Sequence, residues 1–360
     1  MNAVHSARGD GAAPVLITGG GGFIGCNLAD ALAARGTSVL VFDNMARDGA
    51  QENVGWLKQR YGDRIGIEIA DIRDPEKVRR SVARSSAVLH LAAQVAVTTS
   101  LGRPVDDFEI NARGTLNVLE ALRLENPRAP MVFASTNKVY GRLLAASTFV
   151  RHGRRYIATD VRFARGVAET AALDLYSPYG CSKGTADQYV HDYARVYGLR
   201  TAVLRMSCIY GPRQFGTEDQ GWIAHFMLQS IRRRPITIFG DGLQVRDALH
   251  IDDAIAAWLG MLARIDAVRG SVFNLGGGPE NAVSLLELLD LIARMRGDVP
   301  DIRFETRRPG DQPWYVSDTT ALLAATGWRP RVPLQEGLRT LEKWLYGRLG
   351  AAPLPRREVA

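Results

Sequence analysis

Cysteine is scarce in this sequence: Cys26, Cys181 and Cys208 stand far apart, with no paired spacing. An odd set without a metal-like pattern excludes a disulfide framework and a cysteine-built metal site, and it points to a reducing, cytoplasmic compartment. Long apolar runs are lacking too. No stretch reaches the roughly 18 residues of a membrane-spanning helix, and the N-terminal segment lacks the apolar centre of a signal peptide. Lysine is rarer than the charge suggests. The net charge is +7, yet only five of the 45 basic residues are lysines and the arginines are scattered. With no dense basic stripe and no interleaved aromatics, nucleic acid is not an expected partner. Scattered arginines suit the anionic groups of a small ligand.

What is present is ordinary for a globular enzyme-sized chain: 360 residues, 46% hydrophobic and 23% charged. That length predicts one large domain or two intimately joined ones. Apolar runs VLIT (15–18), SVLVFD ending at Asp43, IGIEIADI (65–72), AVLHLAA (87–93) and MVFAS (131–135) alternate with helical stretches. The helical stretches run from Phe23 to Arg35, Pro75 to Arg84 and Asp106 to Leu124, and a later one from Ser177 to Tyr197 precedes the strand TAVLRMSCIYG. Strands alternating with long helices define an α/β protein with a Rossmann-type, doubly wound parallel sheet. After residue 211 the units are shorter and more mixed. The predicted division is a dinucleotide-binding domain over 14–211, with 142–176 as an insertion, and a stretch over 212–348 that is mainly a smaller C-terminal lobe for the nucleotide sugar.

TGGGGFIG spaces Gly19, Gly22 and Gly25 three apart in the first strand-to-helix turn. Glycine allows a tight turn and lets backbone N–H groups approach a pyrophosphate, to which the helix N-terminus adds partial positive charge. Asp43, at the end of the second strand, stands where a carboxylate binds the ribose 2′-hydroxyl and repels a 2′-phosphate. The cofactor is therefore NAD rather than NADP. Arg47 tempers that preference, and Asp71 and Ile72 end the third strand where they flank the adenine.

Tyr179 and Lys183 lie four apart on one face of a helix. An ammonium beside a phenol favours the phenolate, so the tyrosine pKa is expected to fall. Such a tyrosine takes a proton from a sugar hydroxyl while hydride leaves for the nicotinamide.

TGGGGFIG, FDN, HLAAQ, INARGT, STNKVYG, YGCSK, YGPRQ, GDGLQVRD and RRPGD together resemble the extended short-chain dehydrogenase/reductase family of nucleotide-sugar epimerases, dehydratases and decarboxylases. The resemblance covers roughly 14–345. The longer runs, among them FDNMARDGAQENVGWL, LYSPYGCSKGTADQY and QVRDALH, are similar to the branch that inverts C2 of CDP-3,6-dideoxyhexoses. On these residues the resemblance implies that Tyr179 is the acid/base and that Lys183 binds the nicotinamide ribose and tunes it. Ser135 and Thr136 would hydrogen-bond the reacting sugar oxygen. NAD contacts would come from Gly19, Gly22, Phe23, Ile24, Gly25, Asp43, Asn44, Arg47, Asp71, Ile72, Leu91, Ala92, Ala93 and Lys183. Arg246 and Arg308 would grip the substrate diphosphate, with Gln94, Thr98, Arg213, Gln214 and Gln220 as further sugar or nucleotide contacts. Asn111 would be structural or near the nicotinamide. The long helices imply a homodimer or homotetramer.

The slots after Ser135 and Thr136 decide the chemistry within that family. Dehydratases carry an Asp-Glu pair there, because elimination needs a proton taken from one carbon and another given to the leaving hydroxyl. Here the slots hold Asn137 and Lys138, which predicts epimerisation through a transient ketone. A C4 epimerase or oxidoreductase on another nucleotide sugar is the alternative, and a non-catalytic NAD-binding regulator is the alternative of another class. Other polar residues read as structural. His90 is a core histidine and the Asp252–Asp253 pair caps the helix after His250, so no metal site is expected. The tryptophans are packing residues, Trp222 excepted as a candidate for the sugar pocket. The Arg-rich stretch 142–176 is a candidate to shape that pocket.

Overall fold

The computed structural model describes residues 12–143 and 149–350. Seven strands make one all-parallel sheet: β1 (Val15–Thr18), β2 (Val39–Asp43), β3 (Ile65–Ile69), β4 (Ala87–His90), β5 (Met131–Thr136), β8 (Thr201–Met206) and β12 (Val272–Leu275), in the order β12-β8-β5-β4-β1-β2-β3. The central strands are buried along their whole length because helices cover both faces, hence their unbroken apolar sequences. At the β3 edge cover fails, and Ile67 and Ile69 are exposed. Chain order reverses between β1 and β4, so the carboxyl ends of these two strands open a crevice.

One face carries α1 (Phe23–Ala33) and α2 (Ala50–Tyr61); the other carries α3 (Pro75–Ala83), α6 (Gly114–Glu125) and α7 (Ser177–Tyr197). Two short helices, α4 (Val97–Gly102) and α5 (Pro104–Phe108), lead through a π-helical turn at Glu109–Arg113 into α6. The helix expected over 106–124 is thus broken by a π-turn, a device frequent at functional sites. It seats Asn111 fully buried.

The remaining lobe has its own core, with α8 (Trp222–Arg232), α11 (Leu285–Arg296) and α13 (Leu334–Leu349) packed on small sheets. There β11 (Val245–His250) pairs with β9 (Cys208–Tyr210), β13 (Ala282–Ser284) and β15 (Trp314–Tyr315), and β10 (Ile236–Phe239) pairs with β14 (Ile302–Glu305). A boundary at 211 does not divide the fold. The chain returns to the large sheet with β12, and α9 (Ile251–Ala263) joins the core on one of its faces, before α10 (Ile265–Val268) leads into β12; α12 (Thr320–Thr326) follows later in the chain.

The 142–176 stretch also departs from expectation, and residues 144–148 of it lie outside the described residues. Its hairpin, β6 (Phe149–His152) and β7 (Arg155–Ala158), faces the C-terminal lobe. Arg155 binds Glu287 at 2.7 Å, Arg154 binds Asp290 at 2.8 Å and Arg162 binds Asp160 at 2.6 Å. None of its described residues lines the central cleft. These arginines pair with carboxylates and do not shape the sugar pocket.

Candidate active site

A cleft of about 940 Å³ runs from the end of β1 across β4 and β5 to the C-terminal lobe. At one end the backbone after β1 turns through Gly19, at φ +69°, where a Cβ would meet the Ala92 nitrogen at 2.8 Å. A Cβ on Gly25 would lie 2.3 Å from the Gly19 carbonyl oxygen. These two glycines allow α1 to start directly beneath the cleft. Its N-terminus has no side-chain cap and no acid in the first turn, leaving N–H groups for an anion. The Asp43 carboxylate accepts from the Gly21 N–H at 2.9 Å and from the Met45 N–H at 2.8 Å, which fixes it beside the glycine turn. Asn44 donates to Asp71 at 3.0 Å, and Arg73 holds the Asp71 carboxyl well below the usual carboxylate range. Phe23, Ile24, Gly22, Arg47, Ile72, Leu91, Ala92 and Ala93 line the same end. A side-chain-free cradle, an open helix N-terminus and a fixed carboxylate fit the pyrophosphate and ribose of NAD.

In the middle of the cleft, α7 sets Tyr179 against the end of β5. Burial pushes the Tyr179 phenol up to about 12, opposed by a hydrogen bond with the Thr136 hydroxyl and by the Arg47 charge. The expected fall in its pKa is therefore absent. Burial, joined by the Asp107 charge, outweighs the Arg47 cation, and the Lys183 ammonium is spent elsewhere. Lys183 donates to the Ala134 carbonyl at 2.6 Å and sits 4.2 Å over the Phe133 ring, and burial pushes it down to about 7.

The two hydroxyls at the end of β5 part company. Thr136 meets Tyr179, whereas Ser135 donates to the buried Asp187 at 2.6 Å, itself bound by Arg205 at 2.8 Å. The strand pleat sends adjacent side chains to opposite faces, and although both residues line the cleft the Ser135 hydroxyl is turned to Asp187. Asn137 is buried on the cleft wall, its amide oxygen 3.4 Å from Thr136 Oγ1.

Gln94, expected on the sugar, spends its side chain on the local turn. It donates to Asp107 at 2.9 Å and to the Ala96 carbonyl at 2.8 Å. Asn111 is structural, donating to Ser182 at 3.0 Å and Asp107 at 3.2 Å. Sequence reasoning passed over Asp107, Ser182, Asp187 and Arg205. The available signal was helical spacing, since Asp187 lies four residues beyond Lys183 and Asp107 four before Asn111.

At the far end Arg246 and Arg308 line the cleft together with Gln214, Gln220, Thr98 and Trp222. Arg246 donates to Asp311 at 2.7 Å and Arg308 pairs with Asp219 at 3.1 Å while stacking 3.6 Å over Phe239. Arg213 lies over the Trp56 ring at 3.7 Å, at the cofactor side. His90 is fully buried between Thr18 and Thr115, and burial pushes it down to about 3, so it stays neutral. The helix after His250 is capped by His250 itself, which accepts from the Asp252 N–H; Asp253 instead accepts from the Arg331 and Val332 N–H groups. Among the described residues no cluster of acids, histidines or cysteines could hold a metal.

A parallel sheet with its crevice at the β1/β4 reversal, a glycine cradle with Asp43, and a Tyr179–Lys183 pair on one helix face define a nicotinamide-dependent enzyme acting on a hydroxyl group. The chain belongs to the NAD dependent epimerase/dehydratase family, whose model matches residues 15–276. It is 41% identical over 344 residues to the CDP-paratose 2-epimerase of Salmonella typhi, covering 92% of this chain and 98% of that one. Among solved structures it resembles the UDP-glucose 4-epimerase of Thermus thermophilus in complex with NAD, with 34% identity, a TM-score of 0.78, and 93% and 99% of the two chains covered. It also resembles a Bacillus cereus UDP-glucuronic acid 4-epimerase in complex with UDP-glucuronic acid and NAD, at 26% identity and a TM-score of 0.80, over 93% and 99% of the chains.

Proposed function

We propose that this NAD-dependent nucleotide-sugar epimerase inverts C2 of a CDP-3,6-dideoxyhexose, interconverting CDP-paratose and CDP-tyvelose. The carrying observation is the wall of the cleft opposite Tyr179, where Thr136 is followed by an amide and an amine, Asn137 and Lys138, instead of carboxylates. Neither can perform the paired proton transfers of an elimination, while epimerisation needs only one acid/base. NAD, held by the glycine turn, Asp43 and Lys183, would supply the hydride acceptor and donor for this transient oxidation at the sugar carbon.

Tyr179 takes the hydroxyl proton as the ketone forms and gives it back after the sugar has turned. The Thr136 hydroxyl and the Arg47 charge both favour the phenolate that this requires, against burial. Lys183, which donates to the Ala134 carbonyl, would hold the nicotinamide ribose. Arg246 and Arg308 suit the diphosphate, since planar guanidinium groups match phosphate oxygens and stay charged. The C2 position and the cytidine base are supported by the 41% identity to the Salmonella enzyme.

The working form in this reading is a cytoplasmic homodimer. No helix among the described residues is long and apolar enough to cross a membrane. The outer faces of α6 and α7 expose Leu124, Tyr189, Val196 and Tyr197 side by side, as a helix-on-helix interface requires.

Purified enzyme with its NAD is expected to convert CDP-paratose to CDP-tyvelose in proton NMR spectra without added reductant. Turnover of a UDP- or GDP-sugar instead would sink the substrate, and elimination products would sink the reaction class. Tyr179→Phe is expected to lower kcat by about 10³-fold or more while the NAD stays bound. Wild-type turnover in that variant would remove Tyr179 from the mechanism.

A further inference from the structure

Lys138 has so far served only as a missing carboxylate, yet its surroundings give it work. It sits in the 3₁₀ turn after β5, with a side chain only 21% exposed. Its ammonium donates to the Gly310 carbonyl at 3.2 Å and lies 4.0 Å from the Asp311 carboxylate. Asp311 also accepts from Arg246 at 2.7 Å, and Arg246 donates on to the Gln312 carbonyl at 2.7 Å. Gly310 turns the loop at φ +76°, two residues after Arg308. One chain of charge, Lys138–Asp311–Arg246, therefore ties the end of a strand of the large sheet to the loop that presents Arg308.

We propose that Lys138 is a positioning residue that holds the 308–312 loop against β5 and shares the charge of Asp311, so that Arg246 and Arg308 are set and left cationic for the substrate's diphosphate. The inference rests on the diphosphate role of those two arginines in the function proposed above. Without Lys138, Asp311 neutralises Arg246 alone and the loop loses its tie through Gly310, keeping the bond from the Gln312 amide to the Gly141 carbonyl. Both effects weaken phosphate binding, and neither involves the sugar.

That distinction supplies the test. A direct role on the reacting hexose predicts that a nucleoside diphosphate without that hexose binds Lys138→Met as well as wild type. The positioning role predicts that CDP and UDP, titrated calorimetrically into the holoenzymes, bind the variant about tenfold more weakly, a loss of roughly 1.4 kcal/mol. KM for the nucleotide sugar then rises more than kcat falls, and Lys138→Arg recovers part of the affinity. Unchanged diphosphate binding, or a loss confined to kcat, overturns the inference. Should Lys138→Met fail to fold, wild-type pH dependence serves.

Burial, and next Arg246, push the Lys138 amine down to about 8, opposed by the Asp311 carboxylate. As pH rises through that value the ammonium loses its proton and its grip. Diphosphate affinity of the holoenzyme then falls between pH 7 and 9.5, and a flat profile overturns the inference. Failure of wild type to bind either diphosphate would sink the reading of Arg246 and Arg308, and this inference with it. Failure to epimerise CDP-paratose with diphosphate binding intact would sink only the substrate.

Discussion

The two ends of the cleft are built by opposite principles. At the cofactor end the polar side chains beside the glycine turn are already engaged, and only the backbone N–H groups of α1 are left open: Asp43 is held by two backbone N–H groups, Asn44 by Asp71, and Asp71 by Arg73. Among the described residues that line the cleft, four buried side-chain oxygens at the substrate end have no partner, Thr98 Oγ1, Gln214 Oε1, Gln220 Oε1 and Gln244 Oε1, against Asn53 Oδ1 near the glycine turn. A buried polar atom without a hydrogen bond costs about 1–3 kcal/mol, so such a group persists where a ligand satisfies it. One end is a rigid cradle for a resident cofactor, and the other keeps unspent acceptors for a molecule that must enter, turn over and leave.

The largest effect should come from breaking the cradle. In Gly25→Ala the added methyl would sit 2.3 Å from the Gly19 carbonyl, so backbone must move and the turn beneath the pyrophosphate with it. Overpacking of that kind costs about 1–3 kcal/mol of stability. The larger consequence is loss of NAD: the variant is expected to purify without cofactor absorbance and without activity. NAD at wild-type stoichiometry in Gly25→Ala would mean the cradle is less rigid than the contrast requires.

That rigidity explains what was legible in the sequence. A cradle made of backbone needs glycines at fixed spacing, and a doubly wound sheet needs strands that are apolar throughout, so both features leave periodic marks. Tyr179 and Lys183 were readable for the same reason, through helical spacing. The substrate end is assembled from loops 308–312 and 214–220, whose proximity to β5 comes from tertiary packing and has no local signature. The pKa of Tyr179 was misjudged because charge spacing shows in a sequence and burial does not. The bond from Ser135 to Asp187 was not legible because Asp187 lies 52 residues away and becomes a neighbour only when α7 docks on β5.

The pair at the end of β5 tests the boundary between the two ends. Thr136→Val removes the hydrogen bond that favours the Tyr179 phenolate, and kcat is expected to fall about tenfold, as for the loss of one hydrogen bond worth roughly 1.4 kcal/mol. Ser135→Ala removes a donor from Asp187, which keeps both bonds from Arg205, so about 1 kcal/mol of stability goes while kcat falls much less than in Thr136→Val. Urea unfolding and steady-state rates separate the two, and equal rate losses would return Ser135 to the reacting oxygen.

The smallest effect probes the unspent acceptors directly, and its sign is unusual. Thr98→Val keeps the shape of the side chain and deletes a buried hydroxyl that has no partner in the protein. The substitution therefore removes a desolvation cost and no internal bond, and the urea midpoint should rise by the equivalent of about 1 kcal/mol. If Thr98 serves the substrate, KM for the nucleotide sugar rises a few-fold in the same variant, so stability and binding move in opposite directions. A destabilised Thr98→Val would place a partner on that hydroxyl and narrow the contrast between the two ends. A stabilised variant with unchanged KM would make Thr98 a packing defect, leaving the three glutamines as the acceptors kept for the sugar.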